Sequence, residues 1–295
     1  MSTKITMDSK NSKWILLITL ALIWGSSFIL IKKGLLGLSP IEVGSLRILF
    51  AGLFLLVIGF KSVTKIPSFQ WKYVALTSLF GTFIPAFLFA IAQTQISSSI
   101  SSVLNSLTPM NTLLLGALFF KIDFKRTQII GVIIGLFGSI LLILNGAANN
   151  PNQNYYYTIL ILLASLCYAT NVNLIKKHLS DLSPLSLSTG NFLVMLPAAI
   201  TILLFSDIST KIDLEITQTA IFYILILGVI GTGIANIIFF KLIQISSPVF
   251  ATSVTYLIPV VAYFWGIQDQ ENINFVQVIG AAIILFGVYT ASKKE

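Results

Sequence analysis

The chain has 295 residues, of which 56% are hydrophobic and 9% charged, against about 25% charged in a typical soluble domain. Apolar cores stop growing at about 250–300 residues, so this much apolar surface has to face lipid, and a soluble fold is excluded. The net charge of +8 does not point to nucleic acid, because the basic residues sit in short segments between apolar runs rather than in a stripe interleaved with aromatics.

Taken in order, residues 1–13 are polar, carry Lys4, Lys10 and Lys13, and are expected to form a disordered cytoplasmic tail. About 20 apolar residues span a bilayer, and such runs fall at 14–31, 43–60, 72–93, 99–120 and 128–147, then at 156–175, 185–205, 219–241, 248–267 and 274–291. The first is long for a signal-peptide core and lacks a small-x-small cleavage site, so it is expected to remain as a helix. The expected fold is an all-α membrane protein of ten transmembrane helices. Five lie in 14–147 and five in 156–291, with an extracytoplasmic linker at 148–155 and a cytoplasmic tail at 292–295.

The two sets are copies. Trp24–Pro40, WGSSFILIKKGLLGLSP, returns in worn form from Tyr168 as YATNVNLIKKHLSDLSP. Downstream, Gly81-Thr82 meets Gly231-Thr232, Pro109 meets Pro259, Gly116 meets Gly266, and Gln128, Gly131 and Gly138 meet Gln277, Gly280 and Gly287. A duplicated unit of roughly 135 residues is the pattern of many membrane transporters. An odd number of helices per unit requires the second to be inverted.

Cytoplasmic segments are enriched in Lys and Arg. With the amino terminus inside, the inner segments hold Lys4, Lys10, Lys13, Lys61, Lys65, Lys72, Lys121, Lys125, Arg126, Lys176, Lys177, Lys241, Lys293 and Lys294, and the outer ones Lys32, Lys33 and Lys211. Both termini are therefore expected in the cytoplasm of a multi-pass protein of the cell (inner) membrane.

Polar side chains within a span face protein or a wet cavity, because an unpaired polar group in hydrocarbon costs several kcal/mol. Helical spacing groups Ser97, Ser101, Asn105, Thr108 and Thr112 on the fourth span, and Thr252, Thr255, Tyr256 and Pro259 on the ninth. It likewise groups Thr82, Pro85, Phe89 and Gln93 on the third span, and Thr232, Asn236 and Phe240 on the eighth. Trp24 and Ser27 on the first and Tyr168 and Asn171 on the sixth complete six faces that can converge on one substrate cavity. The competing structural reading is hydrogen bonding across packed helices, worth about 0.6 kcal/mol each. Pro85, Pro109 and Pro259 remove backbone bonds and are expected to kink their helices as hinges.

Arg47 is the formal charge well inside a span, about 6–9 Å from its outer end by helical rise. It offers a structural reading, pairing with Glu42, helix-terminal carbonyls or a lipid phosphate, and a functional one, as anchor for a substrate carboxylate. Its copy is Asn191. Gly131, Gly135 and Gly138 of the fifth span, with Gly280 and Gly287 of the tenth, make close-packing faces, fit for scaffold or for a homodimer through helices 5 and 10; a monomer is the alternative. One cysteine, Cys167, and one histidine, His178, leave no internal disulfide and no usual metal-ligand set, so no cofactor is expected.

WGSSF at Trp24–Phe28 with Lys33, Arg47, SLTP ending at Pro109, YLIPVVAYFWG at Tyr256–Gly266, DQE at Asp269–Glu271 and VIGAAIILFGVY at Val278–Tyr289 together resemble the EamA-type branch of the drug/metabolite transporter superfamily. The resemblance implies two inverted five-helix units around a central pathway lined by helices 1, 3, 4, 6, 8 and 9. Ile122-Asp123 departs from the family's Gly-Glu pair, whereas Glu271 fits it, as a capping or loop-clamping acid.

The spans carry no deep Asp, Glu, His or Lys, so the relay of proton-driven carriers is not expected. A path of Asn, Ser, Thr, Tyr and Trp suits export of a small neutral or zwitterionic solute, such as an amino acid. The alternatives are a proton-coupled multidrug or toxic-compound efflux carrier and a non-transporting membrane scaffold. An enzyme is disfavoured, because the many hydroxyls have no base beside them in the sequence.

Overall fold

The computed structural model describes residues 3–149, 154–268 and 275–292. Its helices are α1 (Thr3–Gly34), α2 (Pro40–Val63), α3 (Trp71–Ser78), α4 (Ile84–Ala92), α5 (Ser98–Asn105), α6 (Thr108–Leu115), α7 (Arg126–Asn149) and α8 (Thr158–His178). They continue as α9 (Pro184–Leu204), α10 (Ile208–Lys211), α11 (Glu215–Gly228), α12 (Ala235–Ile245), α13 (Pro248–Thr252), α14 (Val254–Gln268) and α15 (Phe275–Ser292). No strand occurs among the described residues.

Seven stretches are long and apolar enough to cross a membrane: Ser12–Gly34, Pro40–Val63, Ser68–Ala92, Ile100–Phe120, Thr158–His178, Pro184–Leu204 and Glu215–Ile245. They coincide with the first four and the sixth to eighth expected spans. Shorter apolar helices, Arg126–Gly138 and Pro248–Ala262, stand where the fifth and ninth were expected. Residues 3–13, expected as a disordered tail, instead continue α1, because a helix once nucleated extends at the cost of one residue's freedom per added hydrogen bond. Asp269, Glu271, residues 150–153 of the linker and 293–295 of the tail lie outside the described residues.

Three of these seven long stretches, the third, fourth and eighth expected spans, are interrupted. The third is α3, a π-turn at Leu79–Phe83, then α4; the eighth is α11, a π-turn at Val229–Ile234, then α12. Both π-turns hold the repeated Gly-Thr pair, Gly81-Thr82 and Gly231-Thr232. In the fourth, α5 ends at Asn105 and α6 restarts at Thr108. Pro109 cannot bond to the Asn105 carbonyl four residues back, and the Thr108 hydroxyl donates to that carbonyl instead at 2.6 Å. Pro259 likewise frees the Thr255 carbonyl, which accepts from the Ser106 hydroxyl at 2.9 Å across the helix pair.

α7 and α15 pack along one another, set apart from the other helices except chiefly α5 and α14. A Cβ added at Gly131 would lie 2.6 Å from the Gly287 carbonyl oxygen, and one at Gly287 would lie 2.6 Å from the Gly135 amide nitrogen. The glycine faces are thus turned toward each other within the chain. Ile133 and Phe137 of α7 and Phe286 of α15 point outward, and a homodimer through these helices would have to use those outer faces.

At one end of the bundle, the Gln70 amide donates to the His178 carbonyl and to Asp181, and Tyr73 stacks on His178 at 4.0 Å. Lys176 caps the carbonyls of Ile243 and Ser246 at the end of α12. At the other end, the Lys211 ammonium bonds Glu42 at 2.7 Å, and Glu42 closes a capping box with Ser39 on α2.

Candidate functional site

Between the two ends lies a cavity with a water-accessible volume of ≈ 80 Å³. One water needs about 10–15 Å³ by this measure, so the space holds several waters or a small metabolite. Two buried apolar clusters flank it. One is built around Leu20, Ile175, Phe240 and Tyr256, the other around Ile31, Leu46, Phe89 and Ile224. Trp24 packs on both.

Of the residues singled out in the sequence, Trp24, Ser27, Thr82, Phe89, Asn105, Thr108, Tyr168, Asn171, Thr232, Asn236 and Thr255 line this cavity, and Arg47 joins them from α2. The three asparagines thus reach one space from three helices. Gln93, Ser101, Phe240 and Tyr256 are not brought there. Gln93 and Ser101 keep the helical phase of their neighbours but lie a turn or more beyond the cavity, where Gln93 accepts from the Ser98 hydroxyl at 3.2 Å. Phe239 rather than Phe240 is the lining residue, and Phe240 is buried in the apolar cluster with Leu20, Ile175 and Tyr256. The helix break at Ser253 between α13 and α14 turns Tyr256 aside. Its ring lies against Gly135 and its hydroxyl donates to the Val132 carbonyl at 3.2 Å.

Thr252, grouped with Thr255 from the sequence, also lines the cavity, as do Phe28, Ile31, Gly81, Phe239 and Ile258, which were missed. Phe28 and Ile31 follow Trp24 by four and seven residues, so helical phase alone points to them; a search restricted to polar positions passes over apolar walls.

The π-turns shape the site. A π-turn widens the helix by one residue and often marks functional positions. Here it leaves the Gly231 carbonyl to accept from the Trp24 indole at 3.0 Å, and the Thr232 hydroxyl donates five residues back to Leu227 at 3.0 Å. The same hydroxyl accepts from Arg47 Nε at 2.7 Å, and Asn236 reaches Thr82 at 3.4 Å. The contacts are reciprocal between the copies. A Cβ on Gly231 would meet the Ser27 hydroxyl at 2.8 Å, and one on Gly81 would meet the Asn171 amide at 2.6 Å. Each half's first helix therefore presses on the other half's π-turn. Among the described lining residues, Arg47 carries a charge and none is an acid or a histidine.

A bundle of apolar helices around a partly polar cavity defines a carrier-like membrane protein. Residues 12–144 and 156–293 each match the EamA-like transporter family, and the chain belongs to that family: it is a multi-pass membrane transporter, not an enzyme. It is 26% identical over 291 residues to an uncharacterized transporter of Archaeoglobus fulgidus, covering 96% of this chain and 99% of the other. It is 28% identical over 277 residues to the inner membrane transporter YedA of Escherichia coli K12, covering 92% and 88%. A Salmonella typhimurium protein named as a probable amino-acid metabolite efflux pump is 26% identical over 282 residues, covering 93% and 92%. A solved crystal structure shares the fold with a TM-score of 0.74 at 15% identity, covering 96% of each chain.

Proposed function

We propose that this transporter exports small neutral or zwitterionic metabolites, amino acids among them, by alternating access between two inverted five-helix halves. The observation that carries this reading is the cavity between the two apolar clusters, lined by polar and aromatic side chains from both halves. A nucleotide sugar or phosphate ester would call for more fixed positive charge than Arg47 supplies among the described lining residues. The Salmonella relative, by its name, handles amino-acid metabolites.

The two family matches and the reciprocal contacts at Gly81 and Gly231 support a two-fold arrangement of ten helices. The Lys and Arg distribution supports cytoplasmic termini, and the YedA likeness supports placement in an inner membrane. In this reading the halves rock about the π-turns, one of them just before Pro85, the break before Pro109 and the carbonyl freed by Pro259, because backbone that already lacks its regular hydrogen bonds changes angle at little cost. With no acid or histidine among the described lining residues, transport runs down the solute gradient without a proton relay in the cavity.

The test is counterflow in proteoliposomes preloaded with unlabelled amino acids and held without a pH gradient or membrane potential. Uptake of a labelled apolar amino acid above protein-free vesicles is expected, with a carboxy-terminal tag exposed only on inside-out vesicles. Flux that needs an imposed proton gradient would instead favour the proton-coupled efflux carrier.

A further inference from the structure

Resting on that transport reading, we infer that Arg47 and Thr232 form an anion subsite that takes the carboxylate of the solute, so that the transported class is small carboxylates with an apolar remainder, amino acids included. Arg47 is the charged group among the described residues of the cavity wall. Glu42, the nearby acid on its own helix, is not available to it. That carboxylate is buried, accepting from Lys211 Nζ and from the Ser39 amide, each at 2.7 Å. The guanidinium has five N–H donors. Its Nε bonds Thr232, and its other N–H groups bond no described residue. A charge away from bulk water stays ionised only when paired or solvated, and the open side of this one is the cavity. A guanidinium fork matches a carboxylate through two parallel hydrogen bonds.

The rest of the wall fits the rest of such a molecule. Phe89, Phe239 and Ile258 offer apolar surface. The Asn171 side-chain carbonyl is a buried acceptor without a partner, and the Trp24 and Tyr168 rings offer π-faces; both kinds of group favour an ammonium. The repeat copy of Arg47 does not duplicate the subsite, since Asn191 is buried away from the cavity and accepts from the Thr77 hydroxyl at 3.0 Å. One carboxylate per cavity follows, held on one side of it.

The experiment is competition against counterflow of labelled L-leucine by L-leucine, L-leucinamide, 4-methylpentanoate and 3-methylbutylamine, using wild-type protein and Arg47→Gln. In wild type, the two carboxylates are expected to compete at least 10-fold more strongly than the amide and the amine. In Arg47→Gln the carboxylates fall to the level of the amide, whose own competition is unchanged, and Arg47→Lys restores part of the difference. Equal competition by acid and amide in the wild type, with leucine exchange intact, overturns the subsite and leaves the transport reading standing; this comparison does not depend on how the variants fold. Absence of exchange for leucine and for every compound of the panel overturns both.

Discussion

Trp24→Phe is expected to slow transport at least 10-fold while the protein still reaches the membrane. The indole N–H is the partner of the Gly231 carbonyl that the π-turn exposes, and phenylalanine cannot donate. An orphaned buried acceptor costs about 1–3 kcal/mol, and here the cost falls on the turn that carries Thr232, the residue Arg47 holds. The ring body is retained, so the edge contact with Phe239 at 4.9 Å and the packing on both apolar clusters survive in large part. Trp24→Ala removes these as well; the cost is about 3–5 kcal/mol for a fully buried large aromatic and less for this partly buried ring, and the variant is expected to lower the yield of folded protein. Counterflow normalised to the amount of reconstituted protein separates the two variants. Wild-type rates in Trp24→Phe would show that the indole bond has no part in transport.

Gly287→Leu is expected to eliminate the folded protein. A Cβ there meets the Gly135 nitrogen at 2.6 Å and the Gly131 carbonyl oxygen at 2.8 Å. These are backbone atoms, and no rotamer change relieves the clash. Overpacking usually costs about 1–3 kcal/mol, and forcing two helices apart along their contact places this substitution at or above the top of that range. Ile133→Leu, on the outward face of α7, is the control and is expected to behave as wild type. Size-exclusion profiles in mild detergent read both; a monodisperse Gly287→Leu peak would mean that α7 and α15 are not held by this contact.

Much of this arrangement was legible in the residues because a bilayer penalises polar groups in one direction. Apolar runs had to be spans, and Asn105, Asn171 and Asn236 had to face away from lipid. The Gly-Thr pairs repeated between the halves, yet nothing in their composition announced a π-turn, since an extra residue in a helical turn leaves no mark in hydrophobic periodicity. Tyr256 was misplaced for a related reason: the break at Ser253 re-phases the helix after it. Arg47 showed as a charge in an apolar run. Whether Glu42 answers it depends on Lys211, which lies far along the chain and arrives only through folding. The glycines of α7 and α15 carried a plain close-packing signal, and the tertiary structure supplied their partner.

Alternating access requires the cavity to be a solute path reached in turn from each side of the membrane. In a Cys167→Ser background, a single cysteine at Asn171 or Asn236 should react with a membrane-impermeant thiol reagent from outside in right-side-out vesicles and from inside in inverted ones. Reaction from only one side, or from neither, would contradict it.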